Sequence, residues 1–291
     1  MLAFKPHKGA LFQLAFSPDG ASIASSGKSP ILCVTDAATG KPRWAFDQKR
    51  VSAIGLGMAY SPRGTFVATA DWDTVFVFDA TGDPRGEYPG RGYAVAFTPD
   101  GEAVVASARR PGAYVHRTAL ATGTATNFRG GDMFDHCNRF AFSPDGKLFA
   151  VHGDTEVSVA DATTAAIRNY FPLSNAPSGV GALVFSPCGR FLAYSDGPKL
   201  FLYDWAEKGV VGPRQRSGKH IQEAAFTPDG RHLITVSNDE TAVVWETAAL
   251  AEVRSFAWDI GKLKSVSVSA DGTRAACGSD RGRVVVWDLD L

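Results

Sequence analysis

Short apolar runs alternate with turn residues along the whole chain, and nowhere do they fall into a helical rhythm. One phrase punctuates them seven times: Phe16-Ser-Pro-Asp-Gly20, Tyr60-Ser-Pro-Arg-Gly64, Phe97-Thr-Pro-Asp-Gly101, Phe142-Ser-Pro-Asp-Gly146, Phe185-Ser-Pro-Cys-Gly189, Phe226-Thr-Pro-Asp-Gly230 and Val268-Ser-Ala-Asp-Gly272. In it Ser or Thr opens a turn, Pro presets φ, Asp suits the third position, and Gly takes the left-handed conformation that other residues resist. Apolar segments flank each turn, as in Leu14-Ala-Phe16 and Ile23-Ala24, which predicts a β-hairpin. A third strand follows and ends in Asp or Glu: Val75–Asp79, Val157–Asp161, Leu200–Asp204, Val243–Glu246 and Val284–Asp288. Thr39-Gly40, Thr81-Gly82 and Thr122-Gly123 then turn the chain into a fourth, more polar strand, such as Pro42–Phe46 or Glu252–Phe256. The inner strands are nearly continuous apolar runs, as expected where both faces of a sheet are covered. The pattern predicts an all-β chain of seven four-stranded antiparallel units with almost no helix.

The closing glycines recur every 37 to 45 residues across the 291-residue chain, so seven units consume nearly all of it. The turn phrase, the four-strand period and the terminal Trp287-Asp288 resemble the WD-repeat family. That resemblance implies a seven-bladed β-propeller, read here as a single domain over residues 1–291. It also implies a histidine, serine, aspartate and tryptophan tetrad in each blade, and most of these positions have changed. His7 occupies the histidine place in the first repeat, and Ser237, Asp239 and Trp245 are assigned to the other three in the sixth. In the seventh, Asp259 stands at the histidine position and Arg281 at the aspartate position. Blades short of tetrads must lean on apolar packing. The last repeat stops at Trp287–Leu291, short of a fourth strand, while Leu2-Ala-Phe4 precedes the first hairpin. The expected solution is that the N-terminal strand joins the last blade and closes the ring.

Thirty basic residues balance thirty acidic ones, which argues against a nucleic-acid partner. No charged and then apolar leader opens the chain, and no apolar run is long enough for a membrane-spanning helix. Cys33, Cys137, Cys188 and Cys277 lie far apart without a Cys-x-x-Cys pair, so free thiols and a cytoplasmic setting are the expectation.

Motifs for chemistry are sparse. The histidines His7, His116, His136, His152, His220 and His232 show no metal-ligand spacing, and neither a Gly-x-Ser-x-Gly elbow nor a phosphate-cradling loop occurs. Asp135-His-Cys-Asn138 places His136 beside Cys137, but neighbours in a strand point to opposite faces, so polar loop residues are the preferred reading. Asp71-Trp-Asp73 reads as a turn whose carboxylates accept turn hydrogen bonds, and Cys188 as a tolerated replacement of a turn Asp. No catalytic residue, metal ligand or cofactor is assigned.

In the family's architecture, the loops entering each innermost strand and those joining second and third strands share one face around the central channel, the usual docking surface. Trp72, Arg109, Arg110, Tyr114, Phe134, His136, Arg139, His220 and Trp258 map there. Trp, Tyr and Arg are frequent interface anchors. The turn Arg109-Arg-Pro-Gly112 suits an acidic segment by bidentate pairing, or is a solvated hairpin tip. Trp72 and Trp258 either bind or pack beneath a neighbouring loop. The expectation is a non-catalytic scaffold that holds a protein or peptide partner, as a monomer or within a larger complex. The alternative is a propeller-type hydrolase or lactonase with a channel-bound metal, which the mostly apolar innermost strands disfavour.

Overall fold

The computed structural model describes residues 1–47, 57–71, 73–108, 114–129, 139–174 and 181–291; for residues 91–93, 108, 114 and 127–129 it describes the backbone only. Its local unit is the recurrent turn. In the first repeat, Ser17 Oγ lies 2.5 Å from Asp19 Oδ1 and accepts from the Ser22 amide at 2.9 Å. Asp19 in turn accepts from the Ala21 amide, and Gly20 carries φ of +68°. The same hydroxyl–carboxylate pair recurs at Thr98–Asp100, Ser143–Asp145, Thr227–Asp229 and Ser269–Asp271. Where Arg63 replaces the Asp, Thr65 partners Ser61 instead, and the Cys188 thiol lies 3.4 Å from Ser186 Oγ. The turn therefore tolerates loss of its Asp.

These hairpins build seven antiparallel sheets of four strands each, with no helix among the described residues. Blade one consists of Leu11–Phe16, Ser22–Gly27, Leu32–Asp36 and Pro42–Phe46, from the innermost strand outward. The innermost strands of blades two to seven are Met58–Tyr60, Arg91–Phe97, Arg139–Phe142, Leu183–Phe185, Ile221–Phe226 and Leu263–Val268. Blade seven takes its outermost strand from the N-terminus, with Leu2 opposite Val286, Ala3 opposite Val285 and Phe4 opposite Val284. The expected closure is thus present, and Leu2 and Phe4 pack on the cluster that contains Leu11, Leu14, Val284 and Val286.

Where an acid ends the third strand, as in blades one, two and four, it caps the turn after it. Asp36 accepts from the Ala38 and Thr39 amides and pairs with Arg43 at 2.8 Å. Asp79 with Arg85 and Asp161 with Arg168 repeat the arrangement. The Arg43 guanidinium holds the Asp36 carboxyl well below the usual carboxylate range.

On the face that carries the recurrent turns, successive turns also touch. The proline of each lies against the glycine of the next: Pro18 on Gly64, Pro62 on Gly101, Pro99 on Gly146, Pro144 on Gly189, Pro187 on Gly230 and Pro228 on Gly272. The seventh phrase has Ala270 in place of proline. There Arg274 reaches over the closing seam, donates to Gly20 O at 2.9 Å and lies above the Phe16 ring. The core is the set of spaces between adjoining blades, each filled by side chains from both.

Candidate functional site

The other face is built from loops that are tied down in several ways. His7, 1% exposed, sits between Pro30 O and Ser25 Oγ, each 2.8 Å from a ring nitrogen. Burial lowers its pKa from 6.5 to about 4, so the ring is neutral at pH 7; Nδ1–H then donates to Pro30 O and Nε2 accepts from Ser25. The neighbouring loop of blade seven lies directly on this segment, with Gly282 against Gly9 O and His7 O, where a side chain has no room. Asp280 accepts from the Lys262 amide, and Arg281 pairs with Asp259 at 3.3 Å. Exposed Lys8, Lys28, Lys219, Lys262, Arg281 and Arg283 thus lie along the adjoining blades one, seven and six on loops bonded into the blades, with the exposed Asp259 among them.

At the channel mouth the innermost strands of blades six and seven each carry a bulge after their first residue. Bulges re-aim side chains. Here they bring Lys264 Nζ to 3.4 Å from Gln222 Oε1, and to 2.8 Å from Asn238 Oδ1. Burial pushes the Lys264 ammonium below its ordinary pKa.

A polar belt runs below. Gln13 Oε1 accepts from the Met58 amide of the next blade, Glu223 from the Val266 amide, and Ser265 Oγ from the Leu14 amide. Each innermost strand in this sector is fastened to its neighbour. Glu223 also pairs with Ser265 and with Arg139, which reaches across from blade four and donates to Gln222 O as well. Among the described residues, no three of His, Cys, Asp and Glu converge in a way that could hold a metal ion.

Of the sequence-derived positions, Trp72, Arg109, Arg110, Phe134 and His136 lie outside the described residues, as do Cys137 and the Arg109–Gly112 turn. Tyr114 begins the third strand of blade three, and its side chain is also outside them. Asp71 accepts from the Asp73 and Thr74 amides, as a turn residue should. Arg139 is 7% exposed, and its guanidinium faces Glu223 rather than solvent. His220 is half-buried, its carbonyl accepting from the Asn238 amide. Trp258 is half-buried too, stacked on Phe256 at 5.7 Å and tilted against Trp287 at 4.7 Å. It packs.

The tetrad assignment of blade six needs correction. Trp245 Nε1 donates to Thr235 Oγ1 at 2.8 Å, not to Ser237. Thr235 stands opposite Val243 in mid-strand, as Ser25 stands opposite Cys33, whereas Ser237 lies at the strand end and meets Lys219 O. Sequence reading also missed Glu223 and Lys264. The available signal was a charged residue inside an otherwise apolar innermost strand, Ile221-Gln-Glu-Ala-Ala-Phe226.

The WD domain, G-beta repeat, matches residues 1–36, 214–246 and 253–288, which carry the three inner strands of blades one, six and seven. The guanine nucleotide-binding protein subunit beta of Solanum tuberosum is 26% identical over 98% of this chain and 80% of its own length. The Target of rapamycin complex subunit wat1 of Schizosaccharomyces pombe is 24% identical over 40% of this chain and 51% of its own. WD repeat-containing protein 55 of Bos taurus is 25% identical over 55% and 42%. The chain therefore spans about half, or less, of the length of these last two relatives. Seven four-stranded blades and a closing strand taken from the N-terminus make the chain a β-propeller, and three of its seven blades match the WD repeat.

Proposed function

We propose that this disc is a non-catalytic interaction module that holds a protein or peptide partner on the face around the channel mouth. The observation that carries the reading is the set of exposed cations from Lys28 through Arg283 to Lys219. They stand on loops that are hydrogen-bonded into the blades, so little ordering cost remains on binding. Relatives add support, since two are by name subunits of larger assemblies: the rapamycin-target complex subunit and the G-protein subunit beta. The sequence reading assigns Trp72, Arg109 and Arg110 to this same face.

Affinity capture from native lysate tests this. Wild type is compared with Trp72→Ala/Arg110→Ala, with Lys262→Glu/Arg283→Glu, and with Lys147→Glu on the recurrent-turn face. The expected result is loss of partners from the first two variants and retention by the third. Equal recovery by all four proteins excludes this face.

A further inference from the structure

The space between blades one and two is closed, near the recurrent-turn face, by aromatic rings at two places. One is in the outermost strand, opposite the third-strand residue two before the capping acid. The other is the residue just before that acid in the next blade. Between blades one and two these are Trp44, opposite Val34, and Phe78, just before Asp79; their ring centroids are 5.6 Å apart. Trp44 Nε1 also donates to Ala80 O at 3.1 Å. The second place is also aromatic in blades five and seven, where Tyr203 and Trp287 pack on Phe171 and Phe256; those two rings stand one step further along the outermost strand, opposite Val157 and Ala242.

Between blades three and four both places are small. Thr126 stands opposite Arg117 where Trp44 would be, and Ala160 precedes Asp161 where Phe78 would be. An open cleft of about 600 Å³ results, floored by Val105, Val115 and Phe149. Ala162, which corresponds to Ala80, lines it and offers its carbonyl. Arg117 lines it too and makes no ion pair within 4 Å among the described residues, while Asp100 and Asp145 stand at the rim.

We propose that this cleft is a binding site for an aromatic side chain, an indole above all, presented by a segment of a protein partner. The blade one–two interface is the internal template: the same volume there takes an indole, with its N–H on the corresponding carbonyl. Charge selects among aromatic occupants. The Arg117 guanidinium favours the electron-rich face of a ring. Lys147 already pairs with Asp145 at 3.6 Å, so an anionic occupant meets Asp100 and finds only Arg117 as a cation; both rim carboxylates stay ionised, because Thr98 and Ser143 hydroxyls donate to them and lower their pKa. The cleft is on the face opposite the set of cations, so the proposal stands or falls independently of the function proposed above.

The test is titration of the full chain with N-acetyl-L-tryptophanamide, followed by ligand-observed NMR. N-acetyl-L-leucinamide and indole-3-acetate serve as comparators. Saturable binding with a dissociation constant of about 1 mM or tighter is expected, at least about fivefold weaker for either comparator. Thr126→Trp recreates Trp44 in place and should weaken binding by about tenfold or more while raising Tm. Ala160→Phe, which recreates Phe78, is the second plug should the first variant fold poorly. Arg117→Ala should weaken binding about threefold or more. Equal binding of tryptophanamide and leucinamide, undiminished binding by a folded plugged variant, or no saturable binding by wild type each overturns the proposal.

Discussion

Blades six and seven stand side by side and carry tryptophan at the same place in the third strand, yet their indoles fare differently. Trp245 donates to Thr235, whereas Trp287 Nε1 is buried with no hydrogen-bond partner among the described residues. The difference is the acceptor. Cys277 occupies the place of Thr235, facing Val285 as Thr235 faces Val243, and a thiol is a poor acceptor. Blade one keeps the other half of the brace, His7 on Ser25, without a tryptophan. Blade seven exchanges histidine and aspartate for Asp259 and Arg281, a solvent-exposed pair of small worth. The parts of the tetrad are therefore separable. Each blade survives with a fragment, because apolar packing between blades supplies the rest: Trp287 still touches Phe256 and Trp258.

The largest expected effect falls on blade seven alone. Deleting Met1–Lys5 removes its outermost strand, exposes the edge of Val284–Asp288 and uncovers the cluster under Leu2 and Phe4. A loss of roughly 4–6 kcal/mol follows, or a drop of about 10 °C in Tm. Thermal melts that coincide for the truncated and full chains would sink the closure as a stabilising feature.

Blade six should suffer next. Arg139→Ala leaves the Glu223 carboxylate buried without its cation, at a cost of roughly 3–5 kcal/mol in urea unfolding. Adding Glu223→Gln should recover part of that loss. Additive losses in the double variant would show that the two side chains are not coupled.

His7 gives the brace of blade one a pH signature. Its pKa is about 4 in the fold and 6.5 in the unfolded chain, so the unfolded state takes up the proton first as pH falls. The stability is fully present above pH 6.5 and drains away between 6.5 and 4. His7→Gln should shrink the stability difference between pH 7 and pH 4.5 by roughly 2–3 kcal/mol. Buried His152, whose pKa is also lowered by desolvation, keeps a residual slope in that variant. The same pH difference in both proteins would show that His7 is not buried neutral.

The smallest effects compare the two tryptophans directly. Thr235→Cys should cost about 1–2 kcal/mol by orphaning Trp245, and Cys277→Thr should add about 1 kcal/mol by giving Trp287 an acceptor. If both substitutions shift Tm in the same direction, the hydroxyl acceptor is not what distinguishes the blades.

Legibility in the sequence followed the range of the interaction. Ser17, Asp19 and Gly20 act within one turn, so the phrase announced its hairpin wherever it recurred. Counting strands exposed the missing outer strand of blade seven and pointed to Leu2–Phe4. Ser237 was preferred to Thr235 because spacing along one strand does not say which hydroxyl faces the indole; the cross-strand register does. Arg139 read as a surface cation because its partner is 84 residues away in a blade that is not its sequence neighbour.

Seven blades, their strand order and the ring closure were written in the order of residues, because turns and alternation are enforced by local backbone geometry. Four features belong to the assembled ring alone: the Arg139–Glu223 clasp, the Arg274 bridge that replaces a proline, the Trp287 indole with no acceptor among the described residues, and the cleft beside Thr126. Each depends on which side chains adjoining blades bring to one place. That is set by packing in three dimensions, and a change as small as Thr to Cys or Trp to Thr decides whether the place is bonded, filled or open.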